Sequence, residues 1–450
     1  MNNDNNLNIN WLNVIVIKEF QKYLNLNSIK ELSLLSKLFR LKLSPKLFDT
    51  IKLDRELKSI NSDYESYFKV KEITVLNNLV KSGVKEVHYR QYVDKLLNDI
   101  KHRLQGIKSF VSSIEFRYLE HLGYFLFPIF TNFENLEILD LYECTIPYSI
   151  LINLGKLFPK LKKIELGSVL LVKLPTDSAH SENFLFPPNL SCLNISKVKA
   201  TEQDDLFNPY ERLYIEYFPR NSYRFSLPRI ALPNLLELDY DGDDEDDSDL
   251  EEFSNINPNL KSLKVQFFHL DREYNLNSLE YLDVGYVECY DDEVKFATNH
   301  NLNELKLLVE GDFYFENVTK LCLLCPNLVK LNLCLVCIDD FQQAFDEFLI
   351  PILSNMPKLK TLELELIAEE DEILDITNFP YIETFILFSD EPNILNVKFA
   401  RSENLRNIEF KCNYFDCDYY RDEFRKLCRK TKNWKFTYSE DLIKGYKLSQ

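Results

Sequence analysis

At 450 residues, 45% of them hydrophobic, the chain can build a large core, and length alone would divide it into about three ordinary domains. The 53 Lys and Arg against 71 Asp and Glu leave a formal charge of −18 at pH 7, which opposes phosphate-backbone binding and excludes nucleic acid as the expected partner. Only nine glycines occur, with neither of the Gly-rich phosphate-cradle motifs. No apolar run approaches the roughly 18 residues that cross a bilayer, and no secretory apolar segment follows Met1.

The polar residues 1–10 read as a disordered tail, and 11–55 as a small helical block. Leu12 and Ile15 open it. Val16, Ile17, Phe20, Tyr23 and Leu24 then recur at helical spacing. Ser28-x-x-Glu31 reads as a capping box that starts a second helix with Leu32, Leu35 and Phe39 on one face. Ser44-Pro45 predicts a third helix through Leu47, Phe48 and Ile51, because proline suits a first turn. Three short helices make a very small core, so such a unit needs a partner or a neighbouring domain. The block carries nine Lys/Arg and four Asp/Glu, net +5, which leaves −23 for the rest of the chain.

Residues 56–130 read as a linker with degenerate opening repeats, with apolar clusters around 73–87 and 107–116. From there to 433 one phrase, Leu-x-x-Leu-x-Leu or a close copy, recurs twelve times. Its copies start at Leu136, Leu161, Leu190, Tyr210, Leu235, Leu260, Leu279, Leu302, Leu328, Leu359, Ile382 and Leu405, at intervals of 19 to 31 residues. Positions one, four and six can turn inward around a short strand. One coil cannot bury them alone, so stacked coils must cover one another. Positions three and five then face outward on one sheet. They carry Lys163, Glu165, Arg212, Tyr214, Asp239, Lys264, Tyr281, Asp283, Lys306, Lys330, Asn332 and Glu363, the expected target-binding surface. Lys163, Arg212, Lys264, Lys306 and Lys330 are scattered candidates for pairing with an anionic group on a target. Position nine holds Cys144 in the first copy but Val169, Val198 or Val287 elsewhere, so packing there replaces a polar ladder.

Residues 239–252 contain ten acids in fourteen positions. A calcium loop fails on register, since Ser248 falls where the bidentate Glu belongs, and a solvated disordered insertion is the expectation. Cys322-x-x-Cys325 and Cys334-x-x-Cys337 have zinc-like spacing, but the strand phrase starting at Leu328 separates them, so they read as structural thiols. The ten cysteines keep no framework spacing, which fits a reducing compartment; cytoplasm, nucleus or both are expected. Six scattered histidines belong to no catalytic motif, and residues 434–450 read as a closing cap. No catalytic constellation, cofactor or metal is expected.

These repeats resemble leucine-rich repeats of the irregular, cysteine-bearing kind. That resemblance implies an α/β solenoid with a curved parallel sheet on the concave face and helices or loops on the convex face. The block 11–55 resembles an F-box. Phe20, Tyr23 and Leu24 match its I-F-x-Y-L stretch, residues 35–40 its V-C-K-x-W-R stretch, and Pro45 to Phe48 its P-x-L-W stretch, while the family's early Leu-Pro reads Leu12-Asn13 here. F-box followed by leucine-rich repeats implies the substrate receptor of an SCF-type ubiquitin ligase, a monomer apart from its adaptor. Leu12, Ile15, Phe20, Tyr23, Leu24, Leu32, Leu35, Phe39, Pro45 and Phe48 would dock on Skp1, which joins a cullin scaffold, while the repeats select a target protein. The basic block suits an acidic adaptor. The other readings are a three-helix cap that only shields the first repeat, and a ligase-independent acidic scaffold that holds basic proteins.

Overall fold

The computed structural model describes residues 14, 17–54, 86–175, 177, 184–203, 222–241, 248–291, 293–338, 341–366, 374–389, 397–399, 402–411, 425–426, 429, 431, 433–439 and 442–448. The expected tail 1–10, Leu12, Ile15 and the repeat copy at 210–215, with Arg212 and Tyr214, lie outside them. The chain forms two compact units, Met1–Phe225 and Ser226–Gln450.

The first unit opens with helices α1 (Lys18–Gln21), α2 (Leu26–Leu35) and α3 (Lys37–Leu47). Their boundaries differ from the sequence expectation. Asn25, not Ser28, caps α2, its side chain accepting the Ser28 N–H at 2.8 Å. The earlier start adds a turn that packs Leu26 against the core. Ser36 then breaks the helical run with extended backbone, and its hydroxyl accepts the Phe39 N–H at 3.1 Å. Helix α3 thus starts well before Pro45, which sits near its end rather than in a first turn. The reason is spacing: Phe39, Leu43 and Leu47, four apart, share one buried face. The proline lacks an N–H for the Leu41 carbonyl, and the helix stops two residues later. With Ile29 at the centre and Leu24, Leu26, Leu32 and Phe48 around it, these residues form the small core.

Ile51 is not helical. It lies in strand β1 (Thr50–Asp54), which pairs in parallel with β2 (Ser113–Glu120). The Asp49 carbonyl accepts the N–H groups of Ser112 and Ser113, fastening the helical block to the sheet. Strands β3 (Ile138–Pro147), β4 (Lys163–Gly167), β5 (Leu170–Lys173) and β6 (Cys192–Ser196) follow. Across β1, β2, β3, β4 and β6 the register aligns Ile51, Ile114, Leu139, Ile164 and Leu193 in one row, and Leu53, Phe116, Leu141, Leu166 and Ile195 in the next. Every one of these side chains is buried. Burying such rows at roughly 25 cal/mol per Å² of apolar surface is the main stabilising term of a coil stack.

Glu143, Ser168 and Lys197, the eighth position of three successive phrases, take φ of 48°, 50° and 53°. This left-handed corner turns the chain into a second small sheet, in which the end of β3 pairs with β5, β5 with β7 (Lys199–Glu202), and β7 antiparallel with β8 (Ser222–Arg224). Cys144, Val169 and Val198 follow the corner and are buried, so packing does replace a polar ladder at position nine.

The second unit stacks eight parallel strands: β9 (Glu237–Asp241), β10 (Ser262–His269), β11 (Tyr281–Glu288), β12 (Glu304–Glu310), β13 (Lys330–Val336), β14 (Thr361–Leu366), β15 (Thr384–Ser389) and β16 (Asn407–Lys411). Leu238, Leu263, Leu282, Leu305, Leu331, Leu362, Phe385 and Ile408 make one buried row across it. After β16 the direction reverses: β18 (Leu442–Lys447) runs antiparallel on β16 and β17 (Trp434–Tyr438) antiparallel on β18. Helices cover the inner rows, among them Phe315–Leu323, whose Phe315 ring stacks on Phe348 at 4.1 Å. Buried Asn257 and Asn299 satisfy the backbone where coils begin: Asn257 accepts from the Leu232 N–H, and Asn299 from those of Asn301 and Leu302.

The acidic run departs from the expected insertion. Its first residues, Asp239 to Asp241, belong to β9, and Ser248–Ile256 is a helix with Leu250 and Phe253 buried; residues 242–247 lie outside the description. Leu250 and Phe253, three apart, supply the inward face that an acid count alone hides.

Candidate functional site

Two surfaces stand out, one on the helical block and one on the sheets. On the block, the residues expected to meet an adaptor fall into two groups. Leu24, Leu32, Phe39 and Phe48 belong to its core, Phe39 buried and the others half-buried. Phe20, Tyr23, Leu35 and Pro45 are surface residues, with Tyr23 87% and Leu35 70% exposed. Sequence reasoning missed three more: Leu34, Leu38 and Leu41, at 71%, 50% and 66% exposure. Four leucines thus flank the Ser36 break, each half exposed or more. Their signal was the set 34, 35, 38, 41, which interleaves with the core set 29, 39, 43, 47. An isolated exposed leucine is ordinary, whereas a group on one small block makes that block a candidate interaction surface.

On the sheets, the outward positions line up in register. In the second unit Asp239, Lys264, Asp283, Lys306, Asn332 and Glu363 form one row on successive strands, beside Ser262, Tyr281, Glu304 and Lys330. Their charges are matched between coils. Lys264 lies 3.1 Å from Asp239, and Lys306 3.5 Å from Asp283. Lys330 bridges Glu304 at 2.8 Å and Glu363 at 3.3 Å. In the first unit Lys163 pairs with Glu165 at 3.0 Å, and the Arg117 guanidinium donates to Asp140. Arg212 and Tyr214 lie outside the described residues.

Burial pushes the carboxyl pKa of Asp239 upward against the pull of Lys264, and that of Asp140 upward against Arg117. Burial works against the ammonium groups of Lys264 and Lys330, but the surrounding carboxylates hold both above the ordinary lysine value. Burial and the Asp283 carboxylate, whose Oδ2 accepts the Tyr281 hydroxyl at 3.3 Å, push the Tyr281 phenol up. The lysines singled out for anionic targets are therefore already engaged with carboxylates. This face offers a shaped, charge-alternating surface rather than an open basic patch.

The two cysteine pairs do not converge. Cys322 and Cys325 are buried, and burial pushes the Cys325 thiol to about 12, whereas Cys334 is half-buried on β13 and Cys337 is exposed. Among the described residues no group of three or more His, Cys, Asp or Glu side chains is placed to hold a metal, and no helix is long and apolar enough to cross a membrane.

No family model matches the chain, and no curated protein matches it. Among solved structures it is similar to mouse RP105 in its complex with MD-1 (18% identity, 56% of this chain and 38% of that chain, TM-score 0.33). It is also similar to the internalin inlF of Listeria monocytogenes (18% identity, 63% and 82%, TM-score 0.29) and to TLR13 in its complex with ssRNA13 (15% identity, 80% and 56%, TM-score 0.25). The chain thus spans less than two thirds of the RP105 and TLR13 chains it matches. All three are leucine-rich repeat proteins. The superpositions are partial, so the fold assignment rests on this chain's own register: each unit is a stack of leucine-rich α/β coils.

Proposed function

We propose that the chain is the substrate-recognition adaptor of an SCF-type E3 ubiquitin ligase, its helical block docking on Skp1 and, through it, a cullin scaffold, while the coil stacks select a protein target. The observation that carries this reading is the helical block itself. It keeps a minimal core of Ile29, Phe39, Leu43 and Leu47, yet holds Leu34, Leu35, Leu38 and Leu41 out to solvent. A cap that merely shielded the first repeat would turn such leucines toward the sheet. The F-box resemblance over residues 11–55 gives the occupant, and its +5 charge favours an acidic adaptor. The chain would perform no covalent step. It would hold a target lysine near a ubiquitin-charged enzyme and make the transfer effectively local. In this reading the protein works in the cytoplasm or nucleus as a monomer apart from its adaptor, without nucleic acid, membrane or cofactor.

Co-purification of Skp1 with the full chain, lost on deleting residues 11–53, is the expected result. Failure of the full chain to retain Skp1 would leave the ligase-independent acidic scaffold as the better reading.

A further inference from the structure

Beyond the charge-matched rows, the second unit carries an aromatic group with a different composition. At the C-terminal ends of β10 and β11, Phe267 and Tyr286 are cross-strand partners and their rings stack at 5.4 Å and 23°. Gly285 permits the approach of the two strands, since a Cβ there would meet the Gln266 carbonyl oxygen at 2.6 Å. On the next strand β12 ends at Glu310, and Gly311, at φ 73°, turns the chain into the short helical turn Asp312–Tyr314. The Gly311 N–H donates to the Val336 carbonyl at 2.9 Å, which fixes the turn to β13. Tyr314 then packs on Tyr286 at 5.7 Å, and Phe313 stands perpendicular to Tyr314 at 5.4 Å with 84% of its surface exposed.

Carboxylates rim these rings. The Tyr286 hydroxyl donates to Glu310 Oε2 at 2.8 Å, a bond that raises the phenol pKa, and Asp312 is exposed beside Phe313. Among the described residues no lysine or arginine lies in ion-pair range of Glu310 or Asp312. The cations of the adjoining segments are committed elsewhere, Lys306 to Asp283 and Lys320 to Glu316. Ring faces carry negative potential, and a cation within about 6 Å of a ring centroid is attracted to it. Clustered rings and a hydrogen-bonded carboxylate that pairs with no lysine or arginine among the described residues together make a receptor for positive charge.

We propose that Phe267, Tyr286, Phe313, Tyr314 and Glu310 bind a cationic side chain, arginine or lysine, of a basic segment on the partner protein. The inference deepens the reading of the repeats as the target-binding part and rests on it, but not on the ligase assignment. Adaptor docking and this aromatic surface are tested by different measurements, so either can fail alone.

The test is a fluorescence-anisotropy titration of the full-length chain with two labelled peptides, Gly-Ser-Arg-Gly-Arg-Ser-Gly and the same peptide with citrulline for both arginines. Citrulline keeps the shape and removes the charge. The arginine peptide should bind about tenfold more tightly. That preference should fall to about twofold or less in Phe313→Ala and in Glu310→Gln, two changes at exposed positions that leave the unfolding transition in place. Tyr286→Phe, which keeps the ring and loses only the bond to Glu310, should give an intermediate preference. Equal affinity for the two peptides would overturn the proposal, as would no binding of the arginine peptide at millimolar concentration. An arginine preference undiminished in both Phe313→Ala and Glu310→Gln would overturn it too, assigning the attraction to the acidic run at 239–252 instead.

Discussion

In the coil stacks the leucines at the repeat positions are sealed almost completely, whereas Leu34, Leu35, Leu38 and Leu41 of the helical block are half to nearly three-quarters exposed. Both regions are leucine-rich, and the difference lies in what can cover each leucine. A coil is flanked by coils of the same register, so every inward side chain meets an equivalent one a strand away. The block has three short helices and room for one small core. Its remaining leucines stay half exposed or more among the described residues, as expected of a unit too small to bury them all.

Substitutions separate the two kinds of leucine. Leu305→Ala removes a fully buried side chain from the middle row of the second unit and should destabilise by about 2–5 kcal/mol, while Leu35→Ala should cost less than about 0.5 kcal/mol. Paired denaturant titrations read both, and comparable losses would mean that the block's leucines are structural after all. A subtler effect belongs to the outward face. Asp239 has a folded-state pKa raised above its ordinary 3.8, chiefly by burial. A raised carboxyl favours the native state in its protonated form. Its contribution is therefore full below 3.8 and lost as pH rises through the folded value. Relative to Asp239→Asn, the natural protein should lose stability as pH rises above about 4, and the opposite slope would show that Lys264 outweighs burial. A small effect is also expected of Lys261→Gln. It breaks a 2.7 Å pair with Glu280 in which both side chains are half exposed, and it should shift stability by less than about 1 kcal/mol.

Much of the coil stacking was legible because inward residues recur as one phrase and a parallel register needs nothing more. Two coils fell outside the twelve-copy count, one within the 107–116 cluster read as a degenerate opening repeat, for a concrete reason. Phe48-x-x-Ile51-x-Leu53 and Val111-x-x-Ile114-x-Phe116 follow the same spacing with an aromatic or β-branched residue at the first position, and they supply β1 and β2. Reading the phrase for volume rather than for leucine would have found them. The helix boundaries of the block were misplaced because Asn25, Ser28 and Ser36 are all good caps, and only burial of Leu26, Leu43 and Leu47 decides among them. The pairing of outward lysines was beyond reach, since Asp239 and Lys264 meet only once adjacent coils are in register. The aromatic group around Phe313 was hidden for the same reason: it joins three strands and a turn.

On the proposed reading the exposed leucines of the helical block are a docking face. The double variant Leu35→Asp/Leu38→Asp in the full chain, assayed together for Skp1 co-purification and for thermal unfolding, tests that face. Loss of Skp1 with an unfolding midpoint within about 2 °C of the natural protein is the predicted result. Skp1 retained at natural levels by the folded double variant would contradict it.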